Sequence, residues 1–102
     1  MTFTAETGSG WQEASFATPV QIAANTTYIA SYHTTVGHYS DDQGYFATSG
    51  VNNPPLHALK NGVSGFDGVY TYRSTTAFPG SGFRFSNYWV DVVFVPSVAL
   101  EF

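Results

Sequence analysis

The run Ser86-Asn87-Tyr88-Trp89-Val90-Asp91-Val92-Val93-Phe94-Val95-Pro96 is the longest unbroken stretch of β-branched and aromatic residues in the chain. Gly80-Ser81-Gly82 precedes it and Pro96 closes it, so it predicts a strand set off by turns. Side chains alternate across a strand. Tyr88, Val90, Val92 and Phe94 then share one face, and Trp89, Asp91, Val93 and Val95 the other. Both faces are mostly apolar, which predicts a central strand covered on each side. Asp91 is the exception, because a buried carboxylate is costly unless it is hydrogen-bonded or paired. Asp91 is therefore expected to fix the fold as a hydrogen-bond acceptor, with Trp89 and Trp11 as structural aromatics. On that reading Asp91→Ala costs stability.

The rest of the chain repeats the theme on a smaller scale. Short alternating segments at 2–7, 11–16, 20–22, 26–34, 45–47 and 69–73 predict strands. Gly8-Ser9-Gly10, Ala24-Asn25, Asn61-Gly62 and Asp67-Gly68 predict the turns between them. Residues 55–60, opening on Pro55, predict a single helical or 3₁₀ turn. Residues 35–44 predict an ordered polar loop. No stretch carries a helical stripe or leaves room for helical crossovers, so the sheets are expected to be antiparallel. The architecture expected is an all-β antiparallel β-sandwich of jelly-roll or immunoglobulin-like type over residues 1–97, with 98–102 as a tail or cloning remnant.

Charge and composition exclude several functions. The 102 residues carry a net charge of -4 with only Lys60, Arg73 and Arg84 as fixed cations. No basic cluster is available for phosphates, so nucleic acid is not an expected partner. No apolar run approaches the ~20 residues of a spanning helix, so membrane insertion is not expected either. The chain lacks cysteine, which excludes disulfides and zinc–thiolate sites. Aromatics reach 18% and charged residues only 10%, the opposite of a disordered composition.

The candidate chemistry lies in the loops and strand ends. Asp41 and Asp42, beside Ser40 and Gln43, are candidate oxygen ligands for calcium, an ion that takes about six to eight such ligands. His33, His38 and His57 have no zinc-ligand spacing. No Gly-x-Ser-x-Gly elbow and no evident carboxylate pair is present, so a non-enzymatic role is expected. Tyr32, His33, Tyr39, Tyr45, Tyr70 and Tyr72 are the candidate ligand-binding residues. Tyrosine pairs an apolar face with a polar handle, which suits contacts with sugar rings.

Several motifs occur in order along the chain: Gly10-Trp11-Gln12, residues 26–33 (Thr-Thr-Tyr-Ile-Ala-Ser-Tyr-His), Gly37-His38-Tyr39, Gly44-Tyr45-Phe46 and Pro55-Leu56-His57-Ala58-Leu59. Gly68-Val69-Tyr70-Thr71-Tyr72, Ala77-Phe78-Pro79 and residues 87–94 (Asn-Tyr-Trp-Val-Asp-Val-Val-Phe) complete them. Together they resemble the bacterial domain-of-unknown-function family DUF4082, over the C-terminal two-thirds of that family's usual domain. The resemblance implies an extracellular or cell-surface location within a larger secreted protein, beside carbohydrate-active modules. A non-catalytic polysaccharide- or glycan-binding module is the function expected. The alternatives are a structural or adhesive spacer without a small ligand, and an engineered fragment that folds as a homodimer or swapped oligomer because uncovered sheet edges pair with a second copy.

Overall fold

A computed structural model of the chain describes residues 1–96. The expected tail at 98–102 lies outside the described residues. Among the described residues there is no helix, and the regular structure is antiparallel β in two small two-stranded sheets. Strands β1 (Val51–Asn53) and β2 (Leu56–Ala58) pair in the register Val51 to Ala58, Asn52 to His57 and Asn53 to Leu56. Strands β3 (Val69–Tyr70) and β4 (Ser81–Gly82) pair Val69 with Gly82 and Tyr70 with Ser81.

The first hairpin replaces the helical turn expected at 55–60. Its two-residue loop is Pro54-Pro55, joined by a cis peptide. A residue before proline is driven to extended backbone, so Asn53 arrives as strand and the chain reverses instead of coiling. Across the pair, His57 Nδ1 donates to Asn52 Oδ1 at 2.8 Å.

The centre of the molecule is a non-local junction. Asp42 and Asn87 exchange both backbone hydrogen bonds at 3.0 Å. Beside them Gly44 N–H donates to Arg84 O at 2.7 Å and Phe46 N–H to Phe85 O at 3.0 Å. Asn61 N–H in turn donates to Phe46 O at 3.0 Å, so residues 42–46 lie between two other segments. Ser86 is fully buried in this junction. Its N–H and its hydroxyl both donate to Phe83 O, at 3.2 and 2.8 Å.

The strand expected over 86–96 is limited to the bridge at Asn87. Arg84, Phe85 and Trp89 have φ of 48°, 55° and 55°, a left-handed conformation uncommon for bulky residues. Trp89, inside the run, breaks the period-two alternation, so the two-faced description of this run does not hold. Among the described residues, 1–41 make no backbone-to-backbone hydrogen bond, and the strands expected at 2–7, 11–16, 20–22 and 26–34 do not form ladders there. Polar side chains capture backbone groups locally instead, a known competitor of sheet pairing. Gln12 caps the Gly8-Ser9-Gly10 turn: its Oε1 accepts from Thr7 N–H at 2.9 Å and its Nε2 donates to Gly10 O at 3.1 Å. At the Ala24-Asn25 turn, Thr26 Oγ1 donates to Ala24 O at 3.1 Å, and Ala23 N–H donates to the Tyr28 hydroxyl at 2.9 Å.

The molecule is correspondingly open. Its accessible surface is 8815 Å², against about 5,700 Å² for a compact monomer of this mass. Among the described residues no large hydrophobic side chain is fully buried.

One partly buried group opposes folding. Asp67 Oδ2 is shielded from solvent without a hydrogen-bond partner, and burial pushes the Asp67 carboxyl above its ordinary range. A carboxyl raised in the folded state binds more protons folded than unfolded, so stability falls as pH rises from the unfolded value through the folded one. Asp67→Asn is therefore expected to raise the thermal midpoint at neutral pH and to change it little below the carboxylate range. Melting curves of both proteins across pH check this.

Candidate functional site

The junction of 42–46 with 84–87 gathers the aromatics into two clusters. The first surrounds Trp89. Tyr45 packs against it edge to face, with ring centroids 5.3 Å apart at 70°, and Trp11 lies 6.4 Å away at 77°. Phe46 backs Tyr45 at 5.0 Å. The Trp89 indole is aimed by two hydrogen bonds. Its Nε1–H donates to Asp42 Oδ2 at 2.8 Å, and its backbone N–H donates to Asn87 Oδ1 at 2.7 Å. Two adjoining open clefts, of about 280 and 180 Å³, share Trp11 and Asp91 as walls. Gln12 and Glu13 line the larger one, and Tyr45, Trp89 and Asn87 the smaller.

This cluster changes the standing of three residues. Trp11 and Trp89, expected as structural aromatics, are 66% and 38% exposed. Asp91, expected as a buried acceptor, is exposed, and its Oδ1 accepts from the next residue's N–H, Val92, at 2.8 Å. The reason is the left-handed backbone at Trp89, which takes the segment out of strand parity. Asp91→Ala is accordingly expected to shift stability by only about 0.5 kcal/mol. Chemical denaturation of the two proteins checks that value, and a loss of several times that size would restore the buried role.

The second cluster is made of tyrosines. Tyr39 and Tyr88 lie 5.6 Å apart at 72°, Tyr70 and Tyr88 6.5 Å at 64°, and Tyr70 and Tyr72 5.5 Å at 62°. Strand β3 supplies Tyr70, and Tyr88 follows the bridge at Asn87. A hydrogen bond with Tyr72, then the charge of neighbouring groups including Asp41, raises the Tyr39 hydroxyl above its usual pKa. Burial foremost, then the Asp41 carboxylate, does the same for Tyr88. Asp41 Oδ1 is itself shielded and unpartnered.

Of the expected ligand-binding residues, Tyr39, Tyr70 and Tyr72 thus meet in the tyrosine cluster and Tyr45 joins Trp89. Tyr32 and His33 join neither, and burial raises the Tyr32 hydroxyl pKa. Asp42 accepts the indole N–H of Trp89, and the charge of Asp41 acts on Tyr39 and Tyr88. No group of three or more candidate metal ligands occurs among the described residues. Sequence reasoning missed Trp11 and Trp89 as cleft walls. The signal available was Trp11 lying next to the glycine turn at 8–10, where a large apolar side chain has little chain around it.

The family model described as "Domain of unknown function (DUF4082)" matches residues 1–90. No curated protein and no solved structure matches the chain.

Proposed function

The chain belongs to the DUF4082 family, a family without an assigned activity, and on that premise we propose that it is a non-catalytic, extracellular carbohydrate-binding module. The observation that carries this reading is the exposed Trp11–Tyr45–Trp89 cluster lining two adjoining clefts with Asp91 and Asn87 at hand. Aromatic faces pack on the C–H faces of sugar rings, while carboxylate and amide oxygens accept from ring hydroxyls. A cleft that is mostly apolar with a few placed polar groups is the general form of a small-ligand site. Edge-to-face packing with Tyr45 and the bond to Asp42 hold the Trp89 ring in place, which lowers the entropy lost on binding.

Glycan arrays and polysaccharide pull-downs on the purified chain, with calcium and with chelator, test the proposal. Saturable binding to a defined glycan class supports it, and a signal at background for every glycan overturns it. Dependence on calcium would add an ion to the site.

A second reading rests on the open surface. An accessible area about 3,000 Å² above the compact value exceeds what each partner loses in an ordinary interface. The backbone of 1–41, unpaired among the described residues, is a template for β pairing. Self-association that completes a β-sandwich would cover both. Light scattering over a range of protein concentrations decides this, because a folded monomer at high dilution contradicts it.

A further inference from the structure

The tyrosine cluster has a chemistry that differs from the cleft at Trp89. Four electron-rich rings meet there at 62° to 72°, so they form walls at steep angles rather than a flat platform. Two of them, Tyr39 and Tyr72, are 51% and 78% exposed and leave the cluster open to a ligand. Beside the rings stands Asp41, with one carboxylate oxygen shielded from solvent and unpartnered. A shielded oxygen of that kind lacks the donor that normally offsets its desolvation. The chain supplies no cation to the rings: the one cation–π contact among the described residues is Arg84 over Phe83, at 5.1 Å. Arg84 also donates to Gln43 Oε1 at 3.1 Å.

We propose that Tyr39, Tyr70, Tyr72 and Tyr88, with Asp41 beside them, form an aromatic cage for a quaternary ammonium group. A methylated ammonium cannot donate a conventional hydrogen bond, so it is held by ring faces and by net negative charge. The cluster supplies both, in four tyrosine rings and the Asp41 carboxylate. The net charge of -4 favours approach of a cation. This site is separate from the cleft at Trp11, Tyr45 and Trp89 and does not depend on carbohydrate binding there.

Choline is the probe, and 3,3-dimethyl-1-butanol, its uncharged isostere, is the control. Each is titrated into the full chain while tyrosine ring protons are followed by NMR. Choline is expected to give saturable shifts at the cluster tyrosines, and the neutral alcohol to bind about tenfold more weakly or less, since the charge carries the attraction. Tyr72→Leu and Asp41→Asn are each expected to weaken choline binding about tenfold. Equal binding of the alcohol overturns the proposal, as do choline shifts that never saturate. Should Tyr72→Leu fail to fold, Asp41→Asn, nearly isosteric, decides alone: unchanged choline affinity in that variant overturns the role of the carboxylate and with it the cage.

Discussion

Gly68→Ala is expected to destabilise the fold by about 3 kcal/mol, a fall in thermal midpoint on the order of 15 °C. Two effects combine there. Gly68 has φ of 63°, a conformation that costs a side-chain-bearing residue about 1 kcal/mol. A Cβ at Gly68 would also run into the backbone carbonyl of Ser86. That carbonyl cannot swing aside as a side chain would. Ser86 is fully buried and bonded to Phe83 O, and Asn87 beyond it exchanges both backbone bonds with Asp42. Gly37→Ala supplies the control. Its φ is 69° and nothing lies within 4 Å of its Cβ position, so only the backbone contribution of about 1 kcal/mol is expected. Denaturant titrations of the two variants measure the difference, and equal losses would remove the close contact from the account.

The second large effect is on binding. Trp89→Ala is expected to weaken glycan affinity by about 2 kcal/mol, roughly thirtyfold, as truncation of a central aromatic anchor does. Its stability cost is expected to be about 2 kcal/mol, because the ring packs on Tyr45 and Trp11 and donates to Asp42. Trp89→Phe, which keeps a ring but loses the N–H to Asp42, is expected to fall between the two. Calorimetry with the best glycan from an array checks both. An alanine variant that binds as wild type would move the site away from this cleft.

These two residues also show how far the sequence could be read. The turns were legible, because their signals are local. Gly8-Ser9-Gly10 and Ala24-Asn25 are turns held by side chains within a few residues, and Asn25 takes φ of 55°. Strand content over 69–73 was legible in part, as β3. The hairpin at 51–58 was not, because Asn52-Asn53-Pro54-Pro55 reads as punctuation until Asn52 is seen opposite His57. Parity misled most at 86–96. The hydrophobic alternation there is real, but alternation maps to faces only where the backbone stays extended, and Trp89 leaves that conformation. The same error placed Asp91 in the interior. The tyrosine cluster escaped for a different reason. Tyr39 and Tyr88 are far apart in the chain and meet only through pairing of 42 with 87.

That pairing has a kinetic consequence. The partners of the junction are 41 and 47 residues apart in its two side-chain bonds, Arg84 to Gln43 and Trp89 to Asp42. Closing a loop of that length costs about 3 kcal/mol of chain entropy before any contact repays it. The β1–β2 hairpin lies wholly inside that loop and, once formed, shortens the remaining span. The junction, and both aromatic clusters with it, would be assembled last.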